Sequence, residues 1–145
     1  MRPITGKVLI LTALALVSHA CVAQPERPAM AEFDLTGSRW LVEDIGGAGV
    51  IDSSHTTIEF IRAGQAAGDS GCNRWSGGFT QDGPSLSFGP MAGTQRACAT
   101  GLMNQESSFY QAIVRVSGWE VQGTGLLHLV DASGATVIRA APLSD

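Results

Sequence analysis

Two short segments concentrate the side chains that can do chemistry. Gly71-Cys72-Asn73-Arg74-Trp75-Ser76-Gly77 sets a thiol, an amide, a guanidinium and an indole between glycines. Thr94-Gln95-Arg96-Ala97-Cys98 adds a second thiol and a second guanidinium. Glycine at both ends of the first segment lets the backbone turn sharply or approach another strand closely. Asn73 can bond its own backbone and tolerate a left-handed conformation. Trp75 suits a core, and Arg96 and Glu106 can pair across the junction between this region and a following helix.

Recognised catalytic arrangements do not emerge from the other candidates. Beyond the leader, the histidines are His55 and His128, and no CxxC or HxxxH spacing accompanies them, so no metal site is expected. No GxSxG elbow surrounds a serine. Glu43 and Asp44 are adjacent, which on a strand sends them to opposite faces and spoils an acid–base pair. Gly46-Gly47-Ala48-Gly49 lacks the Lys-Ser/Thr ending of a phosphate loop. The expectation is a protein without enzymatic activity or cofactor.

The N-terminus predicts export. Arg2 and Lys7 precede the apolar run Val8–Val17, and Ser18, His19, Ala20 and Cys21 follow. Charged, apolar and then small residues make a signal peptide over residues 1–20. About 10 apolar residues are half of the roughly 20 that cross a bilayer. Cys21 is the lipidation candidate if Ser18-His19-Ala20 acts as a lipobox; cleavage after Ala20 or Ala23 by an ordinary signal peptidase is the alternative. Ser18 departs from the usual leucine of a lipobox. The Pro-containing stretch 21–32 reads as a tether and favours the anchored form. Without residues 1–20 the chain keeps seven cations (9 − 2) against 13 acids, near −6. No basic patch remains for nucleic acid. Three cysteines less a lipidated Cys21 leave Cys72 and Cys98, which an oxidising compartment would bond.

The elements that position these residues are mostly strands. Ser38–Ile45 is rich in strand formers, with Trp40, Val42 and Asp44 on one side. Thr56–Ile61 alternates as a half-buried strand. Arg62–Ser70 reads as a polar turn region, and Gly71–Thr80 as two short extended pieces. Ser85–Phe88, a hairpin of Trp119–Gln122 with Leu126–Val130, and Ala135–Ala140 complete the strands. Between them the spacing of Leu102, Phe109, Ile113 and Val116 predicts one helix, about 101–116, with Thr100 as N-cap and Ser117-Gly118 as its end. Glu106 lies on the same stripe and weakens its apolar face. The fold class is α+β, mostly β: a curved antiparallel sheet or half-barrel of seven to eight short strands with one packed helix.

The two chemical segments, taken in order, resemble the META/HslJ family of small envelope domains. The residues that carry the resemblance are Gly71, Cys72, Asn73, Trp75 and Gly77, then Thr94, Ala97 and Cys98, then Glu106 and Phe109. Gly37, Trp40 and the Leu127–Val130 hairpin strand extend it, so that it covers about Leu35 to Ala140, essentially the whole of the domain expected over 33–142. The resemblance implies a curved β half-barrel with a helix, similar to lipid-binding pilot proteins. It also implies a lipoprotein, with heat shock and stress as the associated biology; no catalytic residue can be carried over. The function expected is envelope maintenance or stress tolerance through binding. Two other readings are kept. One is a carrier of a lipid or hydrophobic ligand, lined by Trp40, Phe60, Phe79 and Phe109. The other is an inhibitor or assembly factor acting on an envelope protein through an edge such as Gly46–His55. The expected location is the periplasm, at the outer membrane, because Val22 is not the Asp that retains lipoproteins inside. For the two cysteines the favoured role is a staple, and the rival a redox switch.

Overall fold

The computed structural model describes residues 33–144. Residues 1–20, expected to be a signal peptide, and 21–32, expected to be a tether beginning at Cys21, lie outside the described residues. Nine strands and one helix follow in order: β1 (Arg39–Ile45), β2 (Ala48–Gly49), β3 (Thr57–Arg62), β4 (Gln65–Asp69), β5 (Arg74–Asp82), β6 (Ser85–Gly93), α1 (Thr100–Ile113), β7 (Gly118–Val121), β8 (Leu127–Val130) and β9 (Thr136–Pro142).

All strand pairings are antiparallel, and neighbours in the sheet follow chain order except at the start, where the two-residue β2 flanks β1. β1 also pairs with β9, from Trp40↔Pro142 to Ile45↔Ile138, which bends the sheet into a ring. The ring has one weak seam: β6 meets β7 only at Ser85↔Gly118. The α+β, mostly β expectation holds, with nine strands where seven to eight were read.

The differences have local causes. Arg62–Ser70 is not a turn region but contains β4; only Ala63-Gly64 turns. Ala66, Ala67 and Gly68 lack the bulk of strand formers because β4 lies against large neighbours, with Gly68 opposite Trp75. A side chain at Gly68 would strike the carbonyl of Thr57. Gly71–Thr80 is not two pieces: a nine-residue strand runs through Gly77-Gly78, with a register shift between Gly77 and Phe79 that bends it. A similar shift between Val42 and Asp44 moves Asp44 off the inner face, and Ile45 is buried instead.

The helix is shorter than 101–116. Ala99, not Thr100, occupies the N-cap and makes no side-chain cap bond, and Val114 is the C-cap. Ser117-Gly118 therefore does not end the helix; Gly118 opens β7. Phe109, Ala112 and Ile113 point into the ring, where Phe60, Trp75, Leu127 and Ile138 join them in one core. Phe60 meets Phe79 edge-on at 5.0 Å between centroids, and Trp75 meets Phe109 at 5.6 Å. Trp40, Phe60, Phe79 and Phe109 are all buried in that core.

Candidate functional site at the ring mouth

The turn Ser70–Asn73 joins β4 to β5 and is built from its own polar groups. Ser70 N–H donates to the Asn73 carbonyl at 2.8 Å, and Gly71 N–H donates to Asp69 Oδ1 at 2.8 Å. Gly71 holds φ at +98°, and an added Cβ would lie 2.7 Å from Gln105 Nε2. Both the left-handed backbone and the close helix require glycine there.

Asn73 is 4% exposed and bonds at both ends of its amide. Its Oδ1 accepts from Thr94 Oγ1 at 2.8 Å and from Arg96 N–H at 2.7 Å. Its Nδ2 donates to the Arg96 carbonyl at 3.3 Å and to Glu106 Oε2 at 3.2 Å. One side chain thus ties the β4–β5 turn to the β6–α1 loop and to the helix. Thr94 adds a rung: its N–H donates to the Arg74 carbonyl, and its Oγ1 accepts from Arg74 N–H. Cys72 and Cys98 lie across the same two segments at bonding distance, 2.03 Å between sulfurs.

Glu106 is the helix's contribution. Ser70 Oγ lies 2.5 Å from Glu106 Oε1 and 2.7 Å from the Asn73 carbonyl. Its single proton goes to the carboxylate, the stronger acceptor, since the carbonyl is already served by Ser70 N–H. Arg96 does not reach across to Glu106; its Nη2 donates to the Cys72 carbonyl at 2.7 Å. One residue before Glu106, Gln105 ties the helix to the opposite loop. Its Oε1 accepts from Ile51 N–H at 2.6 Å, and its Nε2 donates to Ser54 Oγ and Thr56 Oγ1, each at 2.9 Å.

Beside this polar knot a groove of about 630 Å³ opens to solvent. Met91 and Gly93 of β6 form one wall, Met103, Glu106 and Tyr110 of α1 the other, and Thr94–Ala97 one end. Gly93 makes room for the Tyr110 hydroxyl, which an added Cβ would approach to 2.9 Å. Burial pushes the Tyr110 phenol up from its ordinary pKa, with Glu106 and Asp69 acting the same way against a Ser70 hydrogen bond.

Among the motif residues, Asn73, Thr94, Ala97 and Glu106 line this groove. Trp75 does not: it is 2% exposed in the core, with its Nε1 buried and unpartnered. Gly77 lies under Met91, whose Cγ an added Cβ would meet at 2.7 Å. His128 sits apart, its Nδ1 3.2 Å from Thr136 Oγ1. Among the described residues no three His, Cys, Asp or Glu side chains gather as metal ligands. Sequence reasoning missed Ser70, Gln105 and Tyr110. The signal available was their place: Gln105 and Tyr110 flank the Glu106/Phe109 stripe, and Ser70 immediately precedes the glycine-bounded segment.

Two solved structures share the fold. An NMR structure of a protein from Burkholderia xenovorans is 24% identical, with a TM-score of 0.62, covering 85% of this chain and 99% of its own. A second NMR structure is 23% identical, with a TM-score of 0.57, covering 73% of this chain and 90% of its own. No curated protein sequence matches the chain. The META domain family model matches residues 33–142, from the approach to β1 through the end of β9 and across every residue of the knot. The chain belongs to the META domain family.

Proposed function

We propose that this protein is an exported, non-enzymatic binding domain of the bacterial envelope, and that the groove beside Asn73 and Glu106 is its contact surface. One observation carries the reading. The motif side chains build a rigid polar knot at the ring mouth, and the open space lies against that knot. A Cys21-acylated, outer-membrane-anchored form working in envelope maintenance or stress tolerance remains part of this proposal. The bonded Cys72 and Cys98 suit an oxidising compartment.

The carrier reading loses its main support. Trp40, Phe60, Phe79 and Phe109 are buried in one continuous core with Ala112 and Ile113 of the helix, and Phe60 meets Phe79 edge-on. The assembly-factor reading gains some, because the loop 50–55 presents Ile51, 42% exposed, on a backbone held by Gln105.

Site-specific photocrosslinking in the native envelope tests the proposal. A probe at exposed Gln95, beside the groove, should capture a discrete adduct. A probe at Asp82, at the far end of β5, should not. Equal capture from both, or none from Gln95, overturns the groove as the contact surface.

A further inference from the structure

The groove has a backbone wall as well as a side-chain wall. Thr94 N–H donates to the Arg74 carbonyl, so these two residues face each other as a hydrogen-bonded pair. Antiparallel ladders alternate. The next pair, Trp75↔Gly93, is therefore non-hydrogen-bonded, Ser76↔Ala92 is bonded, and Gly77↔Met91 is again non-bonded. The N–H and C=O groups of Met91 and Gly93 point away from β5, towards the open edge. β7 does not cover them, since its pairing with β6 stops at Ser85 and a bond from Leu86 N–H to the Ser117 carbonyl. Met91 and Gly93 both line the groove.

Across from this edge stands Glu106. Each carboxylate oxygen takes one hydrogen bond, from Ser70 or Asn73, and keeps another lone-pair site. The Asp69 carboxylate acts on Tyr110 in the same sense as Glu106, while Arg96, which also lines the groove and keeps its charge, turns its Nη2 to the Cys72 carbonyl. Met91, Met103 and the Tyr110 ring supply adaptable apolar surface around the carboxylate.

We infer that the groove takes a short extended peptide segment, which pairs with Met91 and Gly93 as an added strand and sends one arginine or lysine side chain to Glu106. This rests on the groove's being the contact surface. Main-chain bonds to a strand edge give affinity without sequence preference, and side-chain pockets give the preference. The register shift of β6 against β5 just before Met91 breaks the alternation on one side, and β6 ends at Gly93 on the other. The paired segment is thus only a few residues long, and the charged contact dominates its selection.

The test uses the ¹⁵N-labelled exported protein and three acetylated, amidated pentapeptides, Thr-Val-X-Val-Thr, with X as arginine, alanine or glutamate. The arginine peptide should shift the Met91 and Gly93 amide signals and bind about tenfold more tightly than the alanine peptide, as one charge-assisted contact would give. Backbone N-methylation of the arginine peptide should abolish those shifts. Glu106→Gln should remove the preference for arginine over alanine. Equal binding of the arginine and glutamate peptides, or titrations that leave Met91 and Gly93 unmoved, overturn the inference. A crosslinked partner at Gln95 together with unmoved amides would sink the strand-addition mode alone and leave the groove as the contact surface.

Discussion

Phe109 and Glu106 stand one turn apart on the same helix and hold the domain in opposite ways. Phe109 is fully buried among Trp75 and its aromatic neighbours. Its contribution is area removed from water, which does not depend on direction, and close packing, which depends on volume and shape rather than on a particular donor or acceptor. Glu106 meets two donors at fixed distances, inside a knot where each polar group already has a partner. Its contribution depends on direction, and the loss of one member strands the others. The contrast teaches that the ring interior can absorb a conservative apolar exchange, whereas the knot has little freedom to change chemical type.

The largest effect should come from emptying the interior. Phe109→Ala is expected to cost about 3–5 kcal/mol by lost transfer energy and cavity formation, seen as a lower urea midpoint. A Phe109→Leu variant should recover most of it; if it behaves like alanine, the distinction between the two regions weakens. Next is the Cys72–Cys98 closure. For the span between them, chain entropy predicts about 3.5 kcal/mol, acting on the unfolded state. Replacing both cysteines by serine should therefore lower the urea midpoint while leaving the amide shifts of Thr94 and Arg96 near their native values, because Asn73 still spans the same loops.

Asn73→Ala should reverse that pattern. It should cost about 2–3 kcal/mol, because it leaves the Arg96 N–H, the Arg96 carbonyl and one bond to Glu106 without their partner. The amide shifts around Thr94–Arg96 should then move. Unmoved shifts there would show that the disulfide alone sets the loop.

The smallest effect is at Tyr110, the only tyrosine in the sequence. Its folded pKa is raised above the ordinary value of 10.0. The folded state therefore holds the phenolic proton more tightly than the unfolded one. The stabilisation is complete below the unfolded pKa and is lost as pH rises through the folded pKa. Tyrosinate absorbance should titrate above pH 10 in the folded protein, and Tyr110→Phe should remove that part of the alkaline stability loss. A native titration at or below 10 would place the hydroxyl in solvent.

The fold was legible where side chains alternate or repeat with bulk. Thr56–Ile61 and the Leu127–Val130 strand read directly because every second residue is large and apolar. β4 was hidden because Trp75 and Thr57 crowd it, which selects Ala66 and Gly68, residues that normally signal a turn. The helix end was misplaced because Val116 continues the apolar stripe although the chain has already left the helix to reach β7. At the candidate site, the cysteines, Asn73 and Thr94 were visible as a dense motif. Glu106 was visible too, but it read as a flaw in an apolar face. Its meaning requires Ser70 and Asn73, residues 36 and 33 positions away, and such spacing leaves no periodic trace.

The pairing of β1 with β9 has a consequence for how the molecule is born. A ribosome releases the chain from its N-terminus, so β1 appears first and its partner β9 last. Until the final strand arrives, β1 and β8 each present a row of unanswered backbone groups. A nascent chain that stalls before Thr136 has two sticky borders and no closed ring. Closing the ring is therefore a long-range step, the pairing of the domain's first strand with its last, and it must follow the arrival of every strand between them.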